Sequence, residues 1–153
     1  MASSGRKTEV VSQTRITRDP EDVYRFVTTP ANWVGTHPVT LAVEGASGGS
    51  EGLGASWTEL IKSPLLGRVV ARWEVTEANP PHSWTIRTEN FARTGTTIII
   101  NYKFVADNPG TLFQRNMVNL LPKGPLGLIL AWLSRRGRMH DEYLAAIKRR
   151  LEQ

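Results

Sequence analysis

Two charged residues inside apolar strand patterns are the best candidates for chemistry in this chain. Alternate residues of a strand share a face, so Glu59 and Arg115 each lie on the same face as apolar neighbours. Those neighbours are Trp57 and Ile61 for the glutamate, and Phe113 and Met117 for the arginine. A buried unpaired charge costs several kcal/mol. Three arrangements therefore remain open: the two charges pair with each other, they stay hydrated in a cavity, or they bind the polar group of a ligand.

Tyr102 and His140 complete the candidate catalytic set. An enzyme would need a base and an oxyanion stabiliser at one point, for instance His140 or Glu59 with Arg115 and Tyr102. His140 falls on the apolar side of a predicted helix, where it serves either as a boundary residue or in acid–base chemistry. His37 follows the first helix, either at a cavity mouth or on the surface. The sequence has no Ser-His-Asp or metal-ligand pattern, which favours binding over catalysis.

The composition is that of a soluble globule and limits the chemistry. The 153 residues are 40% hydrophobic and 22% charged, which predicts one domain over 8–153 after a disordered tail at 1–7. The absence of cysteine excludes disulfides and thiolate catalysis. The three histidines are widely separated, so we expect no metal and no cofactor.

The charge and the termini bear on location and partners. The net charge is +5, with basic residues concentrated in the last helix. No recognisable nucleic-acid motif accompanies them, so no nucleic-acid partner is expected. The N-terminus has no apolar signal segment, and the apolar run 126–133 is far shorter than the ~20 residues that span a bilayer. We therefore expect a cytoplasmic protein.

Alternating patterns predict seven strands, and helical signals occur at both ends of the series. Asp19-Pro20 begins a short helix with Val23, Phe26 and Val27 as its buried face, and 31–33 adds one further turn. The strands are predicted at 8–17, 39–43, 55–62, 68–77, 82–89, 96–106 and 111–120. No helical segment interrupts them after residue 39, so the sheet is antiparallel. The glycine-rich run 45–54 lacks a P-loop ending and is interpreted as a turn or bulge.

From 125 to 153 the apolar period becomes helical and predicts a long amphipathic helix. Arg136 and His140 fall on its apolar side, and Gly137 marks a kink or a break. The apolar connection 120–132 has three open interpretations. It is a lid that admits a ligand or makes transient membrane contact, it is packing of the first helical turns, or it is a homodimer contact.

The chain resembles the START-like (SRPBCC, Bet v 1-like) superfamily, of polyketide cyclase/dehydrase type. The resemblance lies in the opening strand with 19–27, and in the segments 51–57, 73–81 and 144–152, and it covers nearly the whole chain. It implies an α+β helix-grip fold: a curved antiparallel sheet of about seven strands wrapped around a long C-terminal helix, with one or two short helices after the first strand. The superfamily includes lipid carriers, receptors, cyclases and chaperone regulators, so fold does not fix function.

A curved sheet wider than its helix leaves a hollow, and hollows of this kind hold apolar ligands. The residues predicted to bind the ligand are Trp33, Trp57, Glu59, Trp73, Trp84, Ile86, Ile100, Tyr102, Phe113, Arg115, Met117, Trp132, Met139 and Tyr143. The function ranked first is binding or transport of a hydrophobic small molecule, lipid or aromatic and polyketide-like. A cyclase or dehydratase in the same cavity ranks second, and a protein-interaction module ranks third.

Overall fold

The computed structural model describes residues 6–63, 66–134 and 139–153. Seven strands and three α-helices are present in these ranges, with a short 3-10 helix at Pro30–Trp33. The strands are β1 (Lys7–Ile16), β2 (Thr40–Glu44), β3 (Ser56–Ser63), β4 (Gly67–Asn79), β5 (Ser83–Phe91), β6 (Thr96–Ala106) and β7 (Thr111–Leu120). The helices are α1 (Pro20–Val27), α2 (Pro125–Ser134) and α3 (Met139–Glu152).

The strands form one antiparallel sheet, which confirms the predicted fold class. Their order across the sheet is β1-β7-β6-β5-β4-β3-β2, so the first strand is inserted beside the last. Irregular register interrupts three of the six pairings, β2–β3, β4–β5 and β5–β6. Such bulges bend a strand and increase its twist, which allows a wide sheet to curve around its contents.

One half of the inner face is filled by a run of aromatic side chains that we call the aromatic row. Trp57 and Trp84 stack in parallel with ring centroids 5.8 Å apart, and Trp33 packs edge-on against both. The row continues through Tyr102, Phe113, Phe104 and Tyr24. Because aromatic pairs bury large areas and prefer defined geometries, this row fixes the positions of the strands that carry it.

Helix α1 covers one end of the aromatic row. Asp19 is its N-cap residue and Pro20 its first residue, as predicted. The buried face differs from the prediction at one position: Tyr24 is buried, whereas Phe26 is only partly so. The reason is that the edge of the Tyr24 ring packs against Phe104 of β6, at 5.1 Å between centroids.

The C-terminal region is described as the two helices α2 and α3, and the predicted kink or break at Gly137 falls between them in the sequence. The predicted positions Arg136 and Gly137 lie outside the described residues, as does the segment 1–5 of the predicted tail. Strand β1 starts at Lys7, and the Arg6 carbonyl accepts a hydrogen bond from the Leu121 amide at 2.7 Å. None of the helices described between residues 6 and 153 is long and apolar enough to cross a membrane.

Helix α3 is attached to the N-terminal strand by polar contacts at its last turn. Arg18 donates to the Leu151 carbonyl at 2.8 Å, and Lys148 donates to the Arg15 carbonyl. These contacts satisfy a carbonyl at the helix end that has no partner within the helix. They hold the buried side of α3 against the sheet through His140, Tyr143, Leu144, Ile147 and Leu151.

The glycine-rich run 45–54 is a turn, as the sequence predicted. Gly45, Gly48 and Gly54 all have positive φ. The turn is held by Glu51, which is buried and accepts from the Ser47 amide at 3.0 Å. The carbonyl of Glu51 accepts from the Trp84 indole at 2.9 Å, so the turn is attached to the aromatic row.

We expect Gly110→Ala to destabilise the fold strongly. Gly110 has φ +106°, and a Cβ there would clash with the Ile16 carbonyl oxygen. Backbone strain and this clash together should lower the free energy of unfolding by about 2–4 kcal/mol in urea titrations. Gly49→Ala is the matched control, because no heavy atom lies within 4 Å of the position that its methyl group would take. Equal stabilities of the two variants would contradict the close packing of the β6–β7 turn against β1.

Candidate functional site

A cavity of about 340 Å³ lies between the inner face of the sheet and the helices α2 and α3. This volume is at the lower end of the range for small-molecule sites. Its apolar walls are Trp33, Val39, Ile61, Leu66, Trp73, Phe91, Ile98, Ile100, Met117, Leu121, Leu130, Leu133 and Met139. Its polar walls are His37, Glu59, Lys62, Ser63, Thr94, Thr96, Tyr102, Arg115 and Asn119.

Glu59 and Arg115 reach the cavity from distant strands of the sheet. Glu59 is on β3 and Arg115 on β7, four strand steps apart in the sheet. At a strand spacing of ~4.8 Å they would be about 19 Å apart on a flat sheet. Both nevertheless line the same cavity. Strands β3 and β7 therefore both contribute side chains to the wall of one enclosed space.

The structure brings eight of the fourteen predicted ligand-binding residues to the cavity. They are Trp33, Glu59, Trp73, Ile100, Tyr102, Arg115, Met117 and Met139. Five others are buried beside it without lining it: Trp57, Trp84, Ile86, Phe113 and Tyr143. Strand phase placed the strand residues on the inner face correctly, and Trp57, Trp84 and Phe113 pack against other aromatic rings there. Trp132 differs from all of these, because it is on α2 and 56% exposed.

Arg115 is the most unusual group in the site. Its side chain is only 3% exposed, and its guanidinium lies 5.5 Å from the ring centre of Tyr143 and 5.9 Å from that of Tyr102. Nη1 is 2.8 Å from Nδ1 of His140. A guanidinium has donors and no acceptor, so His140 accepts at Nδ1 and carries its proton on Nε2. The buried Nε of Arg115 has no hydrogen-bond partner among the described residues.

Glu59 is held by neutral donors, and within the described ranges it forms no ion pair with Arg115. Its carboxylate accepts from the Trp73 indole at 2.9 Å and from the Thr40 hydroxyl. Burial raises the pKa of Glu59, against the opposing effects of those two bonds and of the Arg115 charge. Of the three arrangements left open by the sequence, mutual pairing is therefore not the one formed.

Both histidines near Arg115 are poor proton acceptors. Burial and the Arg115 charge lower the pKa of His140 to about 4, although Asp141 opposes the shift. Burial, followed by the charges of Arg115 and His140, lowers the pKa of His37 well below its usual value. The His37 ring lies 4.4 Å from that of Tyr143, which settles its position at the cavity and not on the surface.

These groups form a polar cluster, which we call the polar end, in a cavity whose walls are mainly apolar. The polar end consists of Arg115 and Glu59 on the wall with Tyr102 and His37, and of His140 behind Arg115. Burial raises the pKa of the Tyr102 phenol, so its hydroxyl remains protonated. The site can thus hold the apolar body of a small molecule and offer donors to an oxygen on it. No group of three or more His, Cys, Asp or Glu in the described ranges could hold a metal ion.

Several lining residues were not anticipated from the sequence. Thr96 continues the phase of Ile98 on β6, and Asn119 continues that of Met117 on β7, so strand phase was a sufficient signal for both. Leu133 of α2 lies on the apolar side of the predicted amphipathic helix, whereas Leu130 does not. The same apolar side included Leu128, Ile129 and Trp132, and for these the prediction was wrong because they are exposed. Helix α2 is apolar on all sides, so its sequence does not indicate which side faces the cavity.

Comparison with known proteins gives consistent results. A family model described as polyketide cyclase / dehydrase and lipid transport matches residues 7–152. The chain is 33% identical to Penitrem biosynthesis cluster 1 protein I of Penicillium ochrochloron over 137 residues, covering 85% of this chain and 87% of that protein. This match confirms the family resemblance that the sequence motifs indicated.

Solved structures agree with the fold. The di-domain ARO/CYC StfQ from the steffimycin biosynthetic pathway superposes with a TM-score of 0.78 at 12% identity, covering 95% of this chain and 51% of StfQ. Ginseng major latex-like protein 151 from Panax ginseng superposes with a TM-score of 0.67 at 13% identity, covering 95% of each chain. At these identities the likeness shows the fold alone, and it confirms the helix-grip architecture.

We expect Glu59→Gln to become more stable relative to the wild type as the pH rises. The folded-state pKa of Glu59 is raised, so its neutral form is favoured in the folded protein. The wild type therefore keeps this contribution below the ordinary glutamate pKa and loses it as the pH rises through the raised pKa. Urea titrations of both proteins between about pH 4 and 9 measure the difference. A wild type that gained stability relative to the variant with rising pH would show that Arg115 holds Glu59 ionised.

Acid should destabilise the wild type more than His140→Gln. The folded-state pKa of His140 is about 4, below the ordinary value of 6.5, so the unfolded chain takes up protons first. Stability is therefore lost as the pH falls from 6.5 towards 4. Glutamine keeps an acceptor for Arg115 but does not titrate, so thermal melts of this variant should show a smaller loss. His82→Gln, at an exposed position, is the matched control and should follow the wild type.

Proposed function

The chain belongs to the polyketide cyclase/dehydrase and lipid transport family, and we propose that it binds an oxygen-bearing apolar small molecule of lipid or polyketide type without altering it. The body of this molecule occupies the apolar part of the cavity, and one of its oxygens accepts a hydrogen bond from Arg115. The relative from Penicillium is named for a biosynthesis cluster, which supports a small-molecule ligand.

The observation that carries this proposal is the guanidinium of Arg115 on the cavity wall, which has more donors than the described residues accept. A buried polar group without a partner costs about 1–3 kcal/mol, so native structures rarely retain one without a use. The Nε of Arg115 is buried and has no partner in the described part of the chain, and its side chain lines the cavity. A carbonyl, carboxylate or enol oxygen is the matching acceptor, and a charged acceptor would bond most strongly.

Binding is favoured over chemistry by the state of the neighbouring groups. The Nδ1 atom of His140 is already engaged by Arg115, and the low pKa of His140 makes it a weak base near neutral pH. His37, also of lowered pKa, is packed against Tyr143. A general base needs a pKa close to the working pH, which neither imidazole offers.

A cyclase or dehydratase is the second candidate, and one observation favours it. Glu59 has a raised pKa and shares the cavity with Arg115. A protonated carboxyl can donate a proton, and a nearby guanidinium can stabilise an oxyanion. Extraction of the purified protein followed by mass spectrometry separates the candidates: an unchanged apolar compound supports binding, and a mixture related by loss of water supports the enzyme.

Arg115→Met should weaken the binding of an anionic probe and leave the binding of a neutral probe almost unchanged. We would titrate the protein with 8-anilinonaphthalene-1-sulfonate and with N-phenyl-1-naphthylamine, which share an aromatic body and differ in the anionic group. Loss of the guanidinium should weaken the sulfonate probe by about 10-fold, measured by fluorescence. The neutral probe should change by less than about twofold, because a methionine of similar length maintains the apolar wall.

Two further variants locate the probes in the cavity. Ile100→Trp fills space at the wall and should weaken both probes, whereas Val70→Trp on the outer face of β4 should weaken neither. Thermal melts confirm that each variant is folded. If Arg115→Met weakened the affinity for both probes equally, or for neither, the result would contradict a role for Arg115 in recognising an oxygen. Insensitivity to Ile100→Trp would contradict binding in the cavity itself.

A further inference from the structure

Helix α2 is a thin wall between the cavity and the outside. Its ten residues, PLGLILAWLS, include no charged side chain. Leu130 and Leu133 line the cavity, and Ala131 is buried. Four other large apolar side chains of the helix are exposed, each between 44% and 56% accessible: Leu126, Leu128, Ile129 and Trp132.

The four exposed side chains form one continuous surface, which we call the outer face of α2. At about 100° per residue they fall within an arc of roughly 160°. Leu133 lies close to the Leu126 edge of this arc, and Ala131 and Leu130 lie on the other side of the helix. A surface helix normally places charged or polar residues on this side. Contiguous exposed apolar surface on a folded protein marks a site of interaction with a partner or a membrane.

The charges on either side of the helix indicate an anionic surface. Lys123 precedes α2 by two residues, and the sequence continues after it with Arg135, Arg136 and Arg138. The chain as a whole carries a net charge of +5. An apolar helical face containing Trp and Leu, bounded by Lys and Arg, is the pattern of helices that lie in the interface of anionic bilayers.

A second copy of the chain fits this surface less well. A two-fold symmetric contact through α2 would bring together two chains that each carry a net charge of +5. Four half-exposed side chains also offer only a few hundred Å², whereas a standard interface buries ~800 Å² per partner. Binding to an anionic bilayer avoids the repulsion between two basic chains. It also does not require a large preformed interface on the protein.

We propose that α2 docks on anionic membranes by inserting its outer face between the lipid headgroups. The cavity wall formed by Leu130 and Leu133 then lies next to the acyl boundary. Docking depends on α2 and on the charges that flank it in the sequence, and it does not require an occupied cavity. A failure of docking would therefore not contradict the proposed function.

The distribution of tryptophan makes the docking measurable without a label. Trp33, Trp57, Trp73 and Trp84 are buried, and Trp132 is exposed. Vesicles of phosphatidylcholine with about 30% phosphatidylserine, and vesicles of phosphatidylcholine alone, would be titrated into the protein at ~0.15 M salt. We expect binding to the anionic vesicles, a blue shift of the emission, and protection of Trp132 from acrylamide quenching. Flotation of the vesicles through a density gradient measures binding independently.

Two double variants separate the outer face from charge alone. Leu126→Glu/Ile129→Glu replaces half of the outer face, and Val11→Glu/Val70→Glu makes the same change at exposed positions on β1 and β4. Both variants alter the net charge equally. The α2 variant should bind anionic vesicles at least about 10-fold more weakly than the control variant, with both proteins folded by circular dichroism.

The results that overturn docking are distinct. Absence of vesicle binding by the wild type overturns it, as does binding that leaves Trp132 open to acrylamide. Equal weakening by both double variants would show that charge alone governs binding. Self-association that increases with concentration, is abolished by the α2 variant and occurs without vesicle binding would assign the outer face to a second copy. Probe binding in the cavity is measured separately and is unaffected by each of these outcomes.

Discussion

The guanidinium of Arg115 is a full positive charge inside an apolar enclosure, and the surrounding groups are arranged accordingly. Tyr102 and Tyr143 present ring faces to it, and His140 accepts one of its protons in a hydrogen bond. Its field also contributes to the lowered pKa of His37 and His140. A charge is costly to bury without acceptors, and this cost is the physical basis for the proposal that the ligand supplies an oxygen.

The inner face of the sheet carries two features, the aromatic row and the cavity. The aromatic row, from Trp33 and Trp57 to Phe113, is held by stacked and edge-on contacts. Beside it lies the cavity, which Trp33 and Tyr102 of the row line together with residues of α2 and α3. The close packing of the aromatic row helps to maintain the curvature of the sheet around the cavity.

The features that depend on local sequence pattern, namely the strands and the faces of their side chains, were predicted correctly from the sequence. Alternation and turn residues predicted all seven strands, including 96–106 and 111–120 with their observed bounds. The inward phase of Glu59 and Arg115 was also predicted correctly. The phase could not show which inward side chains meet the cavity, because Trp57 and Trp84 are covered by each other. Nor could it orient Trp132, since a helix apolar on every side has no preferred buried face in its pattern.

The place of β1 in the sheet has a consequence for the order in which the protein can be assembled during synthesis. Among the described strands its one neighbour is β7, and the two pair over ten positions from Lys7–Leu120 to Ile16–Thr111. A ribosome must therefore make about a hundred further residues before the first strand can find its partner. Until then its edge is open to wrong pairings, and the nascent chain depends on local contacts or on chaperones.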